Sequence, residues 1–87
     1  MHNRHAWTQR REDGARREVR VVKRGSIWRF QARTAGEERW TYYAEAPLDD
    51  LADFRAILLR KYQRRRAAYE DVIWAEREMA RLKELRR

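Results

Sequence analysis

Residues 26–33 read Ser26-Ile27-Trp28-Arg29-Phe30-Gln31-Ala32-Arg33, and their alternation decides the fold. Successive side chains along a strand point to opposite faces, so Trp28, Phe30 and Ala32 share one face and Ile27, Arg29, Gln31 and Arg33 the other. The first set can close a small core. The second consists mainly of groups that form forked hydrogen bonds with phosphates and purine edges. A half-buried antiparallel strand, however, carries a polar outer face whatever its role.

Working outward, residues 18–23 contain Val19, Val21 and Val22, β-branched residues suited to a pleated surface, and Arg24-Gly25 follows as a turn signal. On the other side, Thr34-Ala35-Gly36-Glu37 has hairpin length and a glycine able to take positive φ. Residues 38–44 then alternate again, with Trp40, Tyr42 and Ala44 set against Arg39, Thr41 and Tyr43. Three strands with short turns make an antiparallel meander, in which Trp40 and Tyr42 are expected to join Trp28 and Phe30 in the core. Residues 1–17 show no sustained hydrophobic period, Trp7 and Ala15 being isolated among charges, and are expected to form a flexible basic arm.

Pro47 suits the first turn of a helix, and Asp49, Asp50 and Asp53 place negative charge near the positive end of its dipole. Residues 48–87 contain neither Gly nor Pro and are rich in helix formers; as one helix they would extend about 60 Å. Leu51, Phe54 and Leu58 fall at helical spacing, as do Ala68, Val72, Ala75, Met79 and Leu82, with Lys61 and Arg65 interrupting the register. The first set is expected to pack on the sheet, and the second to form a seam for another helix. Because bends usually have an identifiable cause, a straight rod that dimerises through this seam is favoured over a chain bent near residues 63–66. The expected fold class is therefore α+β. A three-stranded meander (residues 18–45) packs on a long C-terminal helix (residues 47–87), in one domain spanning 18–87.

Composition narrows the function. Lys plus Arg is 22 against 14 acids, a net charge of +8, and only Lys23, Lys61 and Lys83 are lysine. Arginine is the residue of bidentate phosphate and guanine contacts, so this bias favours an anionic partner. There is no cysteine, which excludes disulfides and thiolate chemistry and suits a reducing cytoplasm. No apolar run is long enough to span a bilayer. Catalysis has few candidates: the histidines are His2 and His5, in the expected arm, and the single serine is Ser26. His2-x-x-His5 lacks further ligands for a metal, and the acids Asp49, Asp50 and Asp53 are accounted for by the helix N-terminus. No catalytic residue, metal or cofactor is expected.

The candidate nucleic-acid contacts are Arg20, Arg29, Gln31, Arg33, Arg39 and Thr41 on the outer sheet face, with Tyr43 a neighbour able to stack. A narrow sheet can enter the major groove and offer Arg to guanine and Gln to adenine. Residues 60–66 form the densest cationic run, and Arg64, Arg65 and Arg66 are a second candidate phosphate grip. The run spans almost two helical turns and so circles the axis, which excludes a single-faced membrane anchor.

The order Lys23-Arg24-Gly25, Trp28, Ala32-Arg33, Gly36 and Arg39, followed by a helix, resembles the small arm-DNA-binding domains of phage-type tyrosine recombinases over residues 18–60. The resemblance implies a three-stranded sheet that puts Arg29, Gln31, Arg33, Arg39 and Thr41 into the major groove, in a stand-alone DNA-binding module of phage or mobile-element origin. Pro47 and the acids stand where that family commonly has a threonine and a glutamate-alanine pattern, and no recombinase catalytic domain follows. The leading expectation is thus a non-enzymatic cytoplasmic protein that binds nucleic acid, DNA ahead of RNA, and self-associates as a homodimer. The alternative is a protein-interaction module, an adaptor or inhibitor docking through its long helix or sheet, since arginine is also enriched at protein interfaces.

Overall fold

The computed structural model describes residues 3–85. Met1 and His2, and with them one half of the His2-x-x-His5 pair, lie outside the described residues. The fold is α+β and comprises two compact units, a sheet over Asn3–Ala46 and a helical unit from Pro47 onward. Each is described by itself.

Four antiparallel strands, β1 (Arg4–Arg10), β2 (Arg16–Arg24), β3 (Ile27–Thr34) and β4 (Thr41–Tyr43), lie in sequence order in one sheet. The expected meander is present, with one strand more than expected. The segment read as a flexible arm contributes β1, which pairs with β2 along its whole length, from Arg4 opposite Val22 to Arg10 opposite Arg16. Its turn has a local cause. Asp13 Oδ1 accepts the Ala15 N–H at 2.9 Å, and Gly14 takes φ 85°, as an Asp-Gly hairpin turn requires. The turn between β2 and β3 is tighter still. Arg24 pairs with Ile27, Gly25 has φ 63° and Ser26 keeps a negative φ, the pattern of a type II′ turn.

The registers sort every strand residue onto one of two faces. His5, Trp7, Val19, Val21, Trp28, Phe30 and Ala32 share one face, and of these only Trp7 is not buried. Fully burying a side chain the size of valine or phenylalanine contributes about 1.5–3 kcal/mol, so this face holds most of the sheet's apolar stabilisation. His5, expected in a mobile arm, instead lies 5.3 Å from the Trp28 ring, centroid to centroid. Arg17, on the same face toward the sheet's far end, ties strands together. It donates to Gln9 Oε1 at 2.8 Å and to the Tyr43 hydroxyl at 3.0 Å.

The expected single rod is two helices, α1 (Leu48–Gln63) and α2 (Tyr69–Leu85). They form an antiparallel hairpin, in which Arg55 pairs with Glu76 at 3.1 Å and the Tyr62 and Tyr69 rings lie 5.1 Å apart. The break that glycine or proline would have announced is made by arginine. Arg65 adopts φ 60°, its N–H donates to Tyr62 O at 2.8 Å, and the Arg66 N–H donates to Lys61 O at 2.6 Å. This crossed pair is the Schellman termination, normally built on glycine. The hairpin buries Leu51, Phe54 and Leu58 of α1 and Val72, Ala75 and Leu82 of α2. Of the seam expected to recruit a second chain, Val72, Ala75 and Leu82 are thus buried within one chain, while Ala68 and Met79 are half-buried.

Candidate nucleic-acid interface

The other sheet face gathers side chains from all four strands. Reading across the registers, Arg10 lies beside Arg16; Thr8 beside Glu18 and Arg33; Ala6 beside Arg20, Gln31 and Tyr42; Arg4 beside Val22 and Arg29; and Arg24 beside Ile27. The face thus carries the cations Arg4, Arg10, Arg16, Arg20, Arg24, Arg29 and Arg33 against the single acid Glu18. Neighbouring strands are about 4.8 Å apart, so the face is rich in arginine along its whole length, with Thr8, Glu18, Ala6, Gln31, Val22 and Ile27 interspersed.

Of the residues expected to act together, Arg20, Arg29, Gln31 and Arg33 share this face. Thr41 does not: it pairs with Ala32, while Gln31 pairs with Tyr42. The expected facing of the third strand is therefore reversed, and Tyr42 is 75 % exposed on the arginine face instead of joining the core. Alternation states which β4 residues belong together, but the loop of residues 35–40 sets the register, and a slip of one residue exchanges the faces. Arg39 lies exposed in that loop, outside the strands. Tyr43 points the opposite way from Tyr42 and receives Arg17. Arg64, Arg65 and Arg66 are exposed in the turn between the helices, in the other compact unit.

Trp40, also expected in the core, serves the basic face instead. The guanidinium carbons of Arg20 and Arg33 lie 4.1 Å and 4.7 Å from its ring centroid, inside cation–π range. Arg33 also approaches Glu18 at 3.4 Å, a half-exposed pair of small energetic value. These contacts hold two long side chains in place and so restrict their rotamers. Sequence reasoning overlooked Arg4 and Arg10 because they lie on β1, and Arg16 and Arg24 because β2 runs beyond residues 18–23 at both ends; Asp13-Gly14 is the sequence signal for the hairpin joining β1 to β2.

Where β4 ends, the sheet narrows from four strands to three, and an open cleft of about 390 Å³ forms. Val22, Arg24, Arg29, Gln31 and Tyr42 line it from the basic face, together with Phe30, Tyr43 and Ala44. Among the described residues, Arg24, Arg29, Gln31 and Tyr42 have no side-chain hydrogen bond, ion pair or ring contact. No group of three or more His, Asp or Glu side chains that could hold a metal occurs among the described residues, and no helix is long and apolar enough to cross a membrane.

Glu37 and Lys61 are displaced from their ordinary values. The Glu37 carboxylate accepts the Thr34 N–H at 2.8 Å, and that hydrogen bond, with Arg11 adding attraction, lowers its pKa. Partial burial pushes the Lys61 ammonium below the ordinary lysine range. Neither belongs to the basic sheet face. Comparison with protein-family models, with curated proteins and with solved structures finds no match, so the functional reading rests on geometry and charge.

Proposed function

We propose that this chain is a non-enzymatic nucleic-acid-binding protein, with DNA ahead of RNA as its partner, that grips phosphates through the arginine face of its sheet. One observation carries the reading: the strand registers place Arg4, Arg10, Arg16, Arg20, Arg24, Arg29 and Arg33 on a single face opposed by Glu18 alone. Guanidinium groups on that surface displace counterions condensed on a polynucleotide, which gives affinity a steep dependence on salt. Gln31 and the arginines can then address base edges. Arg64, Arg65 and Arg66 act as a second phosphate contact.

Titration of labelled duplex DNA and RNA across ionic strength tests this. Replacing Arg20, Arg29 and Arg33 together with alanine is expected to weaken binding and to flatten the slope of log K against log salt by about 2–3, at roughly 0.9 per phosphate contact. The corresponding Arg64, Arg65 and Arg66 variant is expected to flatten it as well. Wild-type protein that binds neither polymer at low salt ends the proposal. The rival reading, a docking surface for an acidic protein, draws on Trp40, Tyr42 and the arginines being the residue types that dominate protein interfaces. A partner retained through nuclease treatment of a native purification would favour it.

A further inference from the structure

The cleft at the end of β4 differs in chemistry from the rest of the basic face. Val22 contributes apolar surface to it, and Tyr42, directly across the β3–β4 ladder from Gln31, supplies an aromatic ring that is 75 % exposed. Gln31 presents an amide with both donor and acceptor capacity, while Arg24 and Arg29 add charged forks to the lining. Elsewhere on the face the aromatic partner is already taken, since Trp40 holds Arg20 and Arg33. The ring of Tyr42 meets no other ring or cation among the described residues.

An exposed ring, an amide and two cations around a concavity match the parts of one nucleotide: a base to stack, a base edge to read and a phosphate to neutralise. The volume of about 390 Å³ lies in the range of small-ligand sites. A base in a duplex is stacked above and below and cannot lay its face on Tyr42. We infer that this cleft seats a single unstacked nucleotide, so the nucleic acid this protein prefers is single-stranded or has a base extruded from the helix. In that arrangement Tyr42 stacks on the base, Gln31 hydrogen-bonds its edge, and Arg24 and Arg29 hold the flanking phosphate. The inference rests on the nucleic-acid reading above and narrows it.

Fluorescence anisotropy with a labelled oligothymidylate and with a mixed-sequence duplex of equal length tests it. Wild-type protein is expected to bind the single strand more tightly at matched salt. Tyr42→Ala should lower single-strand affinity about tenfold, the effect of losing one stacked base, while duplex affinity changes less than about twofold. Because stacking carries no charge, the salt slope for the single strand stays the same. Tyr42→Phe keeps the stacking surface and should retain wild-type affinity, which separates stacking from a role of the hydroxyl. Titration with thymidine monophosphate should shift the Gln31 side-chain amide resonances, and shifts that saturate without any polynucleotide binding would assign the cleft to a free nucleotide and overturn the polymer reading. Equal losses for single strand and duplex, or no loss for either, would overturn the cleft while leaving the basic face in place. Absence of salt-dependent binding to every polymer, together with no shift on adding thymidine monophosphate, would overturn both.

Discussion

Glu37 closes the turn that leads out of β3: its N–H donates to Thr34 O at 3.0 Å and its carboxylate accepts the Thr34 N–H at 2.8 Å. That second bond exists at full strength only when the carboxylate is ionised. Its folded pKa is lowered relative to the unfolded chain, so the contribution is complete above the ordinary glutamate value of about 4.3. It is lost as pH falls through the lowered folded value. The Thr34 amide proton is therefore expected to titrate with a midpoint below the ordinary glutamate range, and a midpoint at or above it would show that the turn bond is not maintained in solution. Residue identity made this turn legible, through Gly36 and the acid beside it. Residue identity could not set the facing of Trp40 and Tyr42, because aromatic rings suit a buried face and an arginine-lined one equally well.

At the level of elements, β2 and β3 were legible because buried valine and aromatic residues alternate cleanly with charge. β1 was not, because its inward side is carried by His5, Trp7 and Gln9, which do not register as an apolar period. The end of α1 was hidden for a related reason: its left-handed residue is Arg65, and helix formers surround it on both sides. A non-glycine residue in that conformation is strained by about 1–2 kcal/mol, partly offset in a glycine variant by the greater freedom of the unfolded chain. Arg65→Gly is accordingly expected to stabilise the protein by about 0.5–1 kcal/mol, read as a higher denaturant midpoint with unchanged slope. A lower midpoint would mean that the Schellman turn does not terminate α1.

For the molecule as a whole, the folded-back helices change what a charge in the seam would do. Val72 is 1 % exposed within the chain, so Val72→Asp buries a carboxylate and is expected to destabilise folding by roughly 3 kcal/mol or more. It should not turn a dimer into folded monomers. Sedimentation of wild type as a single chain, together with a cooperative unfolding midpoint lowered in the variant, is the expected pair of results; a wild-type dimer dissociated by this substitution would reinstate the intermolecular seam. The net charge of +8 works in the same direction, since like-charged copies repel one another. The excess of arginine was visible from composition, but its convergence was not, because three strands had to be aligned before Arg4, Arg20 and Arg29 became neighbours.

Trp40 has a consequence of another kind. Trp7 and Trp28 lie on the opposite sheet face, which leaves Trp40 as the one indole of the sheet unit beside the arginine surface. Two positive charges lie within 5 Å of its ring centre, and the emission of an indole responds to the electric field across it. A bound polyanion that draws either guanidinium away alters that field, so the surface carries its own optical reporter, readable without a label once the other three tryptophans are replaced.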